Sequence, residues 1–226
     1  DALNPIIQDC IQGLPIPRRM RWGVGREEFV RPVHWVVAML GQDSDHGEIL
    51  GLATGNTTRG HRFHSSGRIT LDRPQDYEST LFEAKVVACF EQRQQIIRQQ
   101  VEVQANTLGA TAVIDSELLD EVTGLVEWPV ALTGSFEARF LQVPPEALIS
   151  SMKEHQKYFH VVDAAGTLKP HFITVANIES SDPQQVIAGN ERVIRPRLAD
   201  AAFFFETDRK IPLADRVQAL SNIVFQ

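Results

Sequence analysis

Val186-Ile-Ala-Gly-Asn-Glu-Arg-Val-Ile-Arg-Pro-Arg-Leu-Ala-Asp-Ala-Ala-Phe-Phe-Phe-Glu-Thr-Asp-Arg-Lys210 is the stretch around which the rest of the chain reads. Phe203, Phe204 and Phe205 present a large apolar surface that calls for a docking partner. Consecutive residues of a helix point about 100° apart, so one stripe cannot hold all three. The expectation is a helix packed on more than one side, a central strut. Upstream, Arg192, Arg195 and Arg197 lie close together, and Pro196 is expected to interrupt the helix or begin a new one.

Outward from that stretch the chain is ordinary in bulk. Its 226 residues are 43% apolar and 23% charged, with a net charge of −7. Such a chain has room for a substantial core and exerts no global attraction on nucleic acid or anionic lipid. Any contact with phosphate must come from local basic clusters. Two cysteines, Cys10 and Cys89, without regular spacing argue against a disulfide scaffold and for a reducing compartment. No apolar run reaches the length of about 20 residues that spans a bilayer. With no basic-then-apolar leader pattern, the chain is expected in the cytoplasm, away from any membrane.

The segment Asn4–Ile11 reads as the end of a helix stopped by Gly13, an expectation that more chain precedes it. Leu14-Pro-Ile-Pro17 is extended. Arg18, Arg19, Arg21, Arg26 and Arg31 then outnumber Glu27 and Glu28, forming either a solvated loop or a phosphate or partner contact. Val33–Leu40 is a buried strand candidate, residues 41–47 its turn, and Glu48–Thr54 the return strand. Arg68–Leu71 is a further short strand. At Asp72 the pattern becomes helical, with Asp72 as cap and Pro74 in the first turn. Apolar residues at Leu81, Ala84, Val87 and Ala88 continue it. The polar run Glu91–Gln100 is expected to project past the core, and Asp115 to cap another helix. Trp128–Thr133 returns to strand, Pro144-Pro145 opens a helix to about Gln156, and Tyr158–Val162 with His171–Ala176 form a hairpin around Asp163-Ala-Ala-Gly-Thr167. Leu213–Asn222 reads as a last helix, and the apolar end Ile223–Phe225 as a boundary within a longer protein.

The predicted class is α+β, an antiparallel or mixed sheet with an inserted helical hairpin and a C-terminal aromatic helix. The predicted domains are a core over 1–180, with the helical insertion at about 73–126, and a helical segment over 181–226.

Familiar catalytic fingerprints are missing: there is no GxxxxGK[ST], HExxH, CxxC or GxSxG, and Gly23-Val-Gly25 is too little for a dinucleotide loop. His61, His64 and Cys89 are the nearest approach to a zinc set and lack a close further ligand. Lys153-Glu-His-Gln-Lys157 ends a helix. Its cations are either placed favourably at the helix C-terminus or aimed at phosphate, and Glu154 with His155 is the weaker option of an acid/base pair.

Several of these words, in order, resemble the beta subunit of bacterial heterotetrameric glycyl-tRNA synthetase. They are Leu14-Pro-Ile-Pro17 with Met20-Arg-Trp-Gly23, Phe29-Val-Arg-Pro-Val-His34, Arg59-Gly-His-Arg-Phe63 and Leu125-Val-Glu-Trp-Pro-Val130. The series continues with Val143-Pro, Glu146-Ala-Leu148, Met152-Lys, Gln156-Lys-Tyr-Phe159 and Val175-Ala-Asn-Ile-Glu179. It ends with Gly189-Asn-Glu-Arg-Val, Arg195-Pro-Arg-Leu-Ala-Asp200, Phe203-Phe-Phe and Thr207-Asp-Arg-Lys210.

The resemblance implies an N-proximal core fragment of that subunit. In the family the alpha subunit holds the class II site for glycine, ATP and magnesium, the beta subunit supplies tRNA binding, and two of each assemble. It implies no catalytic site, cofactor or metal within this fragment. Beta chains continue into an HD domain, for which Asp45-His46, in reverse order, is no substitute. The fold implied is similar to the B-domain module of the phenylalanyl-tRNA synthetase beta subunit.

The candidates for glycine tRNA are Arg18, Arg19, Arg59, Arg62, Lys153, Lys157, Arg192, Arg195 and Arg197, because guanidinium and ammonium groups meet phosphate and guanidinium stacks on unpaired bases. The competing expectation is that these residues build an interface with the alpha subunit, Arg195 and Arg197 pairing with Asp200, Glu206 and Asp208. Least favoured is an editing-type hydrolase using His155 or His61.

Overall fold

The structure, a computed structural model, describes residues 3–44 and 46–220. Asp45, the end of the helix expected over Leu213–Asn222, and Ile223–Phe225 lie outside the described residues. The fold is α+β, with several small sheets rather than one. Contacts divide the chain into two compact units, Asp1–Cys89 and Phe90–Gln226. That division falls inside the stretch expected as a helical insertion, and not near residue 180.

In the first unit, α1 (Leu3–Gly13) is followed by β1 (Met20–Arg21) paired antiparallel with β2 (Glu28–Phe29). The strand expected over Val33–Leu40 is two shorter pieces, β3 (Val36–Val37) and β4 (Met39–Leu40), and its buried residue is Ala38, while Trp35 is exposed. β4 turns at Gly41 into β5 (Asp43–Ser44). The expected single strand Glu48–Thr54 is itself a hairpin of β6 (Glu48–Ile49) and β7 (Leu52–Gly55), β7 also pairing parallel with β3. Leu50 and Gly51 both have positive φ, 52° and 72°, as the two-residue I′ turn requires. Because leucine rarely adopts that conformation, the turn is hard to see in the sequence. β8 (Thr57–Thr58) pairs with β9 (Ile69–Thr70) around the Arg59–Arg68 loop. A 3-10 turn, Pro74–Asp76, then leads into α2 (Tyr77–Glu83). Asp72 is not its cap, and the helix stops before Val87 because Lys85, at φ 62°, closes its C-terminus.

The second unit is a four-stranded antiparallel sheet between two helical layers. α3 (Phe90–Thr107) includes the polar run expected to project. It instead lies on the sheet, with Ile97, Val101 and Ala105 buried at i, i+4 and i+8. β10 (Thr111–Ala112) is an edge strand, and α4 (Ser116–Leu125) is capped by Asp115, whose Oδ1 accepts from the Leu118 N–H at 3.0 Å. β11 (Val130–Ser135) is the opposite edge. α5 (Pro145–Ser150) runs into one π turn, Ser151–His155. β12 (Phe159–Val162) and β13 (Leu168–Ala176) form the central hairpin, in the order β10-β12-β13-β11. Alternation along these strands sends Phe159, Val161 and Ile173 to the α3–α4 layer. Tyr158, Leu168 and Phe172 go to the other layer, where α5 and α6 (Pro183–Asp208) pack.

The β11 edge is occupied by side chains. Gln100 of α3 donates to the Pro129 carbonyl at 3.1 Å and accepts from the Ala131 N–H at 2.7 Å. Gln104 accepts from the Thr133 hydroxyl at 2.8 Å, and Glu191 of α6 accepts from the Ser135 N–H and hydroxyl, each at 2.8 Å.

The aromatic helix departs from expectation. α6 passes through Pro196 without ending; Pro196 is exposed, so the hydrogen bond it cannot make faces water. Its buried residues, Ile194 and Leu198, with half-buried Ala202 and Phe205, form a single stripe. Phe203 and Phe204 are 62% and 63% exposed and meet edge-on at 5.6 Å. The helix is one-sided, not a central strut. A short helix, α7 (Val217–Leu220), follows.

Candidate nucleic-acid interface

The nine cations singled out in the sequence separate into two groups by what they touch. Four are engaged. Arg19 donates to the carbonyls of Ile11 and Gln12 at 3.3 and 3.0 Å, capping the C-terminus of α1, where a cation also opposes the helix dipole. Lys153 pairs with Asp115 at 3.0 Å and Lys157 with Glu121 at 2.8 Å, both on α4. Arg195 Nε pairs with Glu137 Oε1 at 2.9 Å, and not with Asp200, Glu206 or Asp208. Lys157 has a further structural part. It stands at φ 60°, and the Tyr158 N–H reaches back to the Met152 carbonyl at 3.0 Å, the closure of a helix C-terminus usually given to glycine.

The other five, Arg18, Arg59, Arg62, Arg192 and Arg197, are exposed, and among the described residues none makes a side-chain hydrogen bond, ion pair or ring contact. Arg18, Arg59 and Arg62 belong to the first unit and Arg192 and Arg197 to α6 of the second. The acidic excess of the chain sits almost wholly in the second unit, so the first has the weaker opposing field.

Arg59 and Arg62 are held by a clamped loop. His61 is buried, its N–H donating to the Ala84 carbonyl and its carbonyl accepting from the Ser65 N–H, each at 2.9 Å. Its Nδ1 accepts from the Phe63 N–H at 3.2 Å, which places the proton of the neutral ring on Nε2. His64 lies beside it, ring centroids 4.6 Å apart. Gly60 has no room for a side chain: a Cβ there would come within 2.5 Å of the Ala84 Cβ and 2.6 Å of its carbonyl oxygen. Phe63 projects, 74% exposed. Phe63 is not among the candidates singled out in the sequence, although an aromatic directly after Arg62, four residues beyond Arg59, is an available signal. In the first unit an apolar groove of about 550 Å³ also opens between Ile7 and Ile11 of α1 and Trp35, Ile49 and Tyr77.

Elsewhere, burial pushes Tyr158 up to about 12 while its hydroxyl donates to Asn190 Oδ1 at 2.7 Å. His160 and His171 are held below the usual imidazole value, by burial first and by Lys153 and Lys169 second. His155 is exposed on the π turn of the second unit, and His61 is buried in the first. Among the described residues no group of three or more His, Cys, Asp or Glu is placed to hold a metal ion, and no helix is long and apolar enough to cross a membrane. Among the described residues, Cys10 and Cys89 form no disulfide.

The family described as Glycyl-tRNA synthetase beta subunit matches residues 1–226. The chain belongs to that family. It is 61% identical over 226 residues to the glycine–tRNA ligase beta subunit of Chromohalobacter salexigens, covering 100% of this chain and 33% of that relative. It is 60% identical to the Hahella chejuensis subunit of the same name, over 99% of this chain and 32% of that one, and 57% identical to that of Marinobacter nauticus, over 100% and 33%. The chain thus spans about a third of the length of the curated relatives it matches.

Proposed function

We propose that this chain serves glycine attachment to tRNA as part of a beta subunit, contacting glycine tRNA and assembling with a catalytic alpha subunit, two of each, in the cytoplasm. ATP and magnesium then act on the alpha subunit. The observation that carries the tRNA role is five exposed, unpaired arginines on an acidic chain of a synthetase family. Arg19, Lys153, Lys157 and Arg195, whose charge is already spent on the fold, drop to a supporting part. Assembly draws support from the exposed Phe203–Phe204 pair, too apolar to have been kept for solvation. The likeness to the B-domain module of the phenylalanyl enzyme belongs to the same reading, as a fold analogy that the family resemblance implies.

The test is titration of the 226-residue chain with glycine tRNA and an unrelated tRNA at two salt concentrations. If three phosphates are met, log K against log salt falls with a slope of about −2 to −3. Substituting Arg59 or Arg62 by Gln lowers the slope by roughly 0.7–0.9 each, and K153Q leaves it unchanged. A flat salt response, or no binding by a chain shown to be folded, refutes the tRNA role.

A further inference from the structure

The Arg59–Phe63 tip carries more information than two free cations. An exposed phenylalanine on a slack loop would fold back on the nearest apolar surface. Here the backbone cannot follow, because Gly60 is wedged against Ala84, His61 is buried, and the Phe63 N–H is tied to His61 Nδ1. The ring meets His61 only at a tilt, with centroids 6.1 Å apart. The fold therefore holds out an aromatic face, preceded in sequence by the unpaired guanidinium groups of Arg59 and Arg62, at an ordering cost already met by folding.

That combination matches one chemistry. An unpaired nucleotide offers a flat aromatic face and, a few ångströms away, two phosphates. A duplex offers the phosphates but no free face, since its bases are stacked on both sides. An apolar protein pocket offers the face but would have to desolvate Arg62 beside it. We propose that this tip is a nucleotide-stacking site. Phe63 takes the face of one unpaired RNA base, and Arg59 and Arg62 hold the flanking phosphates. This rests on the tRNA reading above and narrows it to an unpaired end or loop.

The experiment compares two RNA hairpins with the same stem, one blunt and one with a short 3′ overhang carrying 2-aminopurine. Anisotropy gives affinity, and 2-aminopurine quenching reports stacking. The wild-type chain is expected to prefer the overhang and to quench it. Phe63→Ala removes the quenching and weakens overhang binding roughly 5- to 150-fold, as loss of one base–aromatic stack does, and leaves blunt binding as it was. Phe63→Trp restores both signals. R59Q and R62Q weaken both hairpins and lower the salt slope. An unchanged overhang affinity in F63A, an equal loss on the blunt hairpin, or failure of F63W to rescue overturns the stacking site while the tRNA reading stands. Loss of alpha-subunit association in F63A with RNA binding intact overturns it in favour of a protein contact. No binding of either hairpin or of tRNA by the wild-type chain overturns both.

Discussion

Gly134 and Gly124 stand ten residues apart, and alanine should act on them in opposite directions. Gly134 of β11 lies directly across from Phe172 of β13. A Cβ at position 134 would fall 2.3 Å from Phe172 Cζ and 2.8 Å from Cε1 and Cε2, whereas carbon atoms rest at about 3.5–4.0 Å. The ring must retreat by more than about 1 Å to recover that spacing. It has nowhere to go: Phe172 is fully buried and stacked on Tyr158, centroids 4.4 Å apart and planes 13° from parallel. Tyr158 in turn is tied to Asn190 of α6. Overpacking of this kind costs about 1–3 kcal/mol, here toward the top of the range. Removing glycine's backbone freedom returns about 0.5–1 kcal/mol. G134A is expected to lose about 2 kcal/mol net. With a urea m-value of about 1–3 kcal/mol/M, the far-UV CD midpoint of the second unit drops by about 0.7–2 M. Gly124, exposed on α4 with nothing within 4 Å of its would-be Cβ, should gain about 0.5–1 kcal/mol as alanine. The double variant G134A/F172L should be more stable than the sum of its single losses. A G134A midpoint equal to wild type, or shifted upward with G124A, would refute the account of Phe172 as wedged.

Four other outcomes are expected. Leu50→Asn, which suits the positive φ of the β6–β7 turn, should stabilise the first unit by about 0.5–1 kcal/mol in urea unfolding; a loss would mean that contacts of the leucine outweigh its strain. R195A should cost about 0.5–1 kcal/mol by separating Arg195 from Glu137, whose Oε2 is already buried without a partner. R192A and R197A should change stability by less, and equal thermal shifts for all three would contradict the pairing. Because His160 and His171 protonate less readily folded than unfolded, the second unit should lose stability as pH falls below about 6.5. H160Q should flatten that acid limb, and a midpoint identical at pH 7.5 and 5.5 would reject it. Tyr158 works at the other end: its contribution is complete below pH 10.0 and is lost as pH rises through about 12. Y158F should remove that alkaline loss, which 295 nm titration alongside unfolding would detect.

Much of the second unit was legible in the sequence, and for identifiable reasons. Asp115 three residues before Leu118, the Pro144-Pro145 opening and the Asp163–Thr167 turn are strong local signals, and each is where the sequence put it. The misreadings share another cause. The Lys85 and Leu50 corners place ordinary side chains at positive φ, so the helix end and the hairpin they make carry no glycine or asparagine to mark them. The polar appearance of α3 hid its role because Gln100 and Gln104 face the sheet edge, where the Gln100 amide bonds the backbone as well as water would and Gln104 takes the Thr133 hydroxyl. The Phe203–Phe204 expectation failed because burial was inferred from hydrophobicity alone, and α6 has only one covered side. Among the candidate cations, type and position were readable, but the separation of paired from free depends on partners such as Glu137 and Glu121 that lie far away in sequence.

Gln100 has a consequence for how the molecule behaves in a crowd. A six-residue outer strand such as β11 offers its amide and carbonyl groups as a template onto which another chain could add. The carboxamide of Gln100 answers both Pro129 and Ala131 as a neighbouring strand would, and Gln104 and Glu191 continue along the same side. The sheet is thus terminated by counterfeit strand contacts that cannot propagate. Gln100→Leu would keep the helix and its packing yet reopen the template. Such a chain would fold and then be lost to self-association at high concentration.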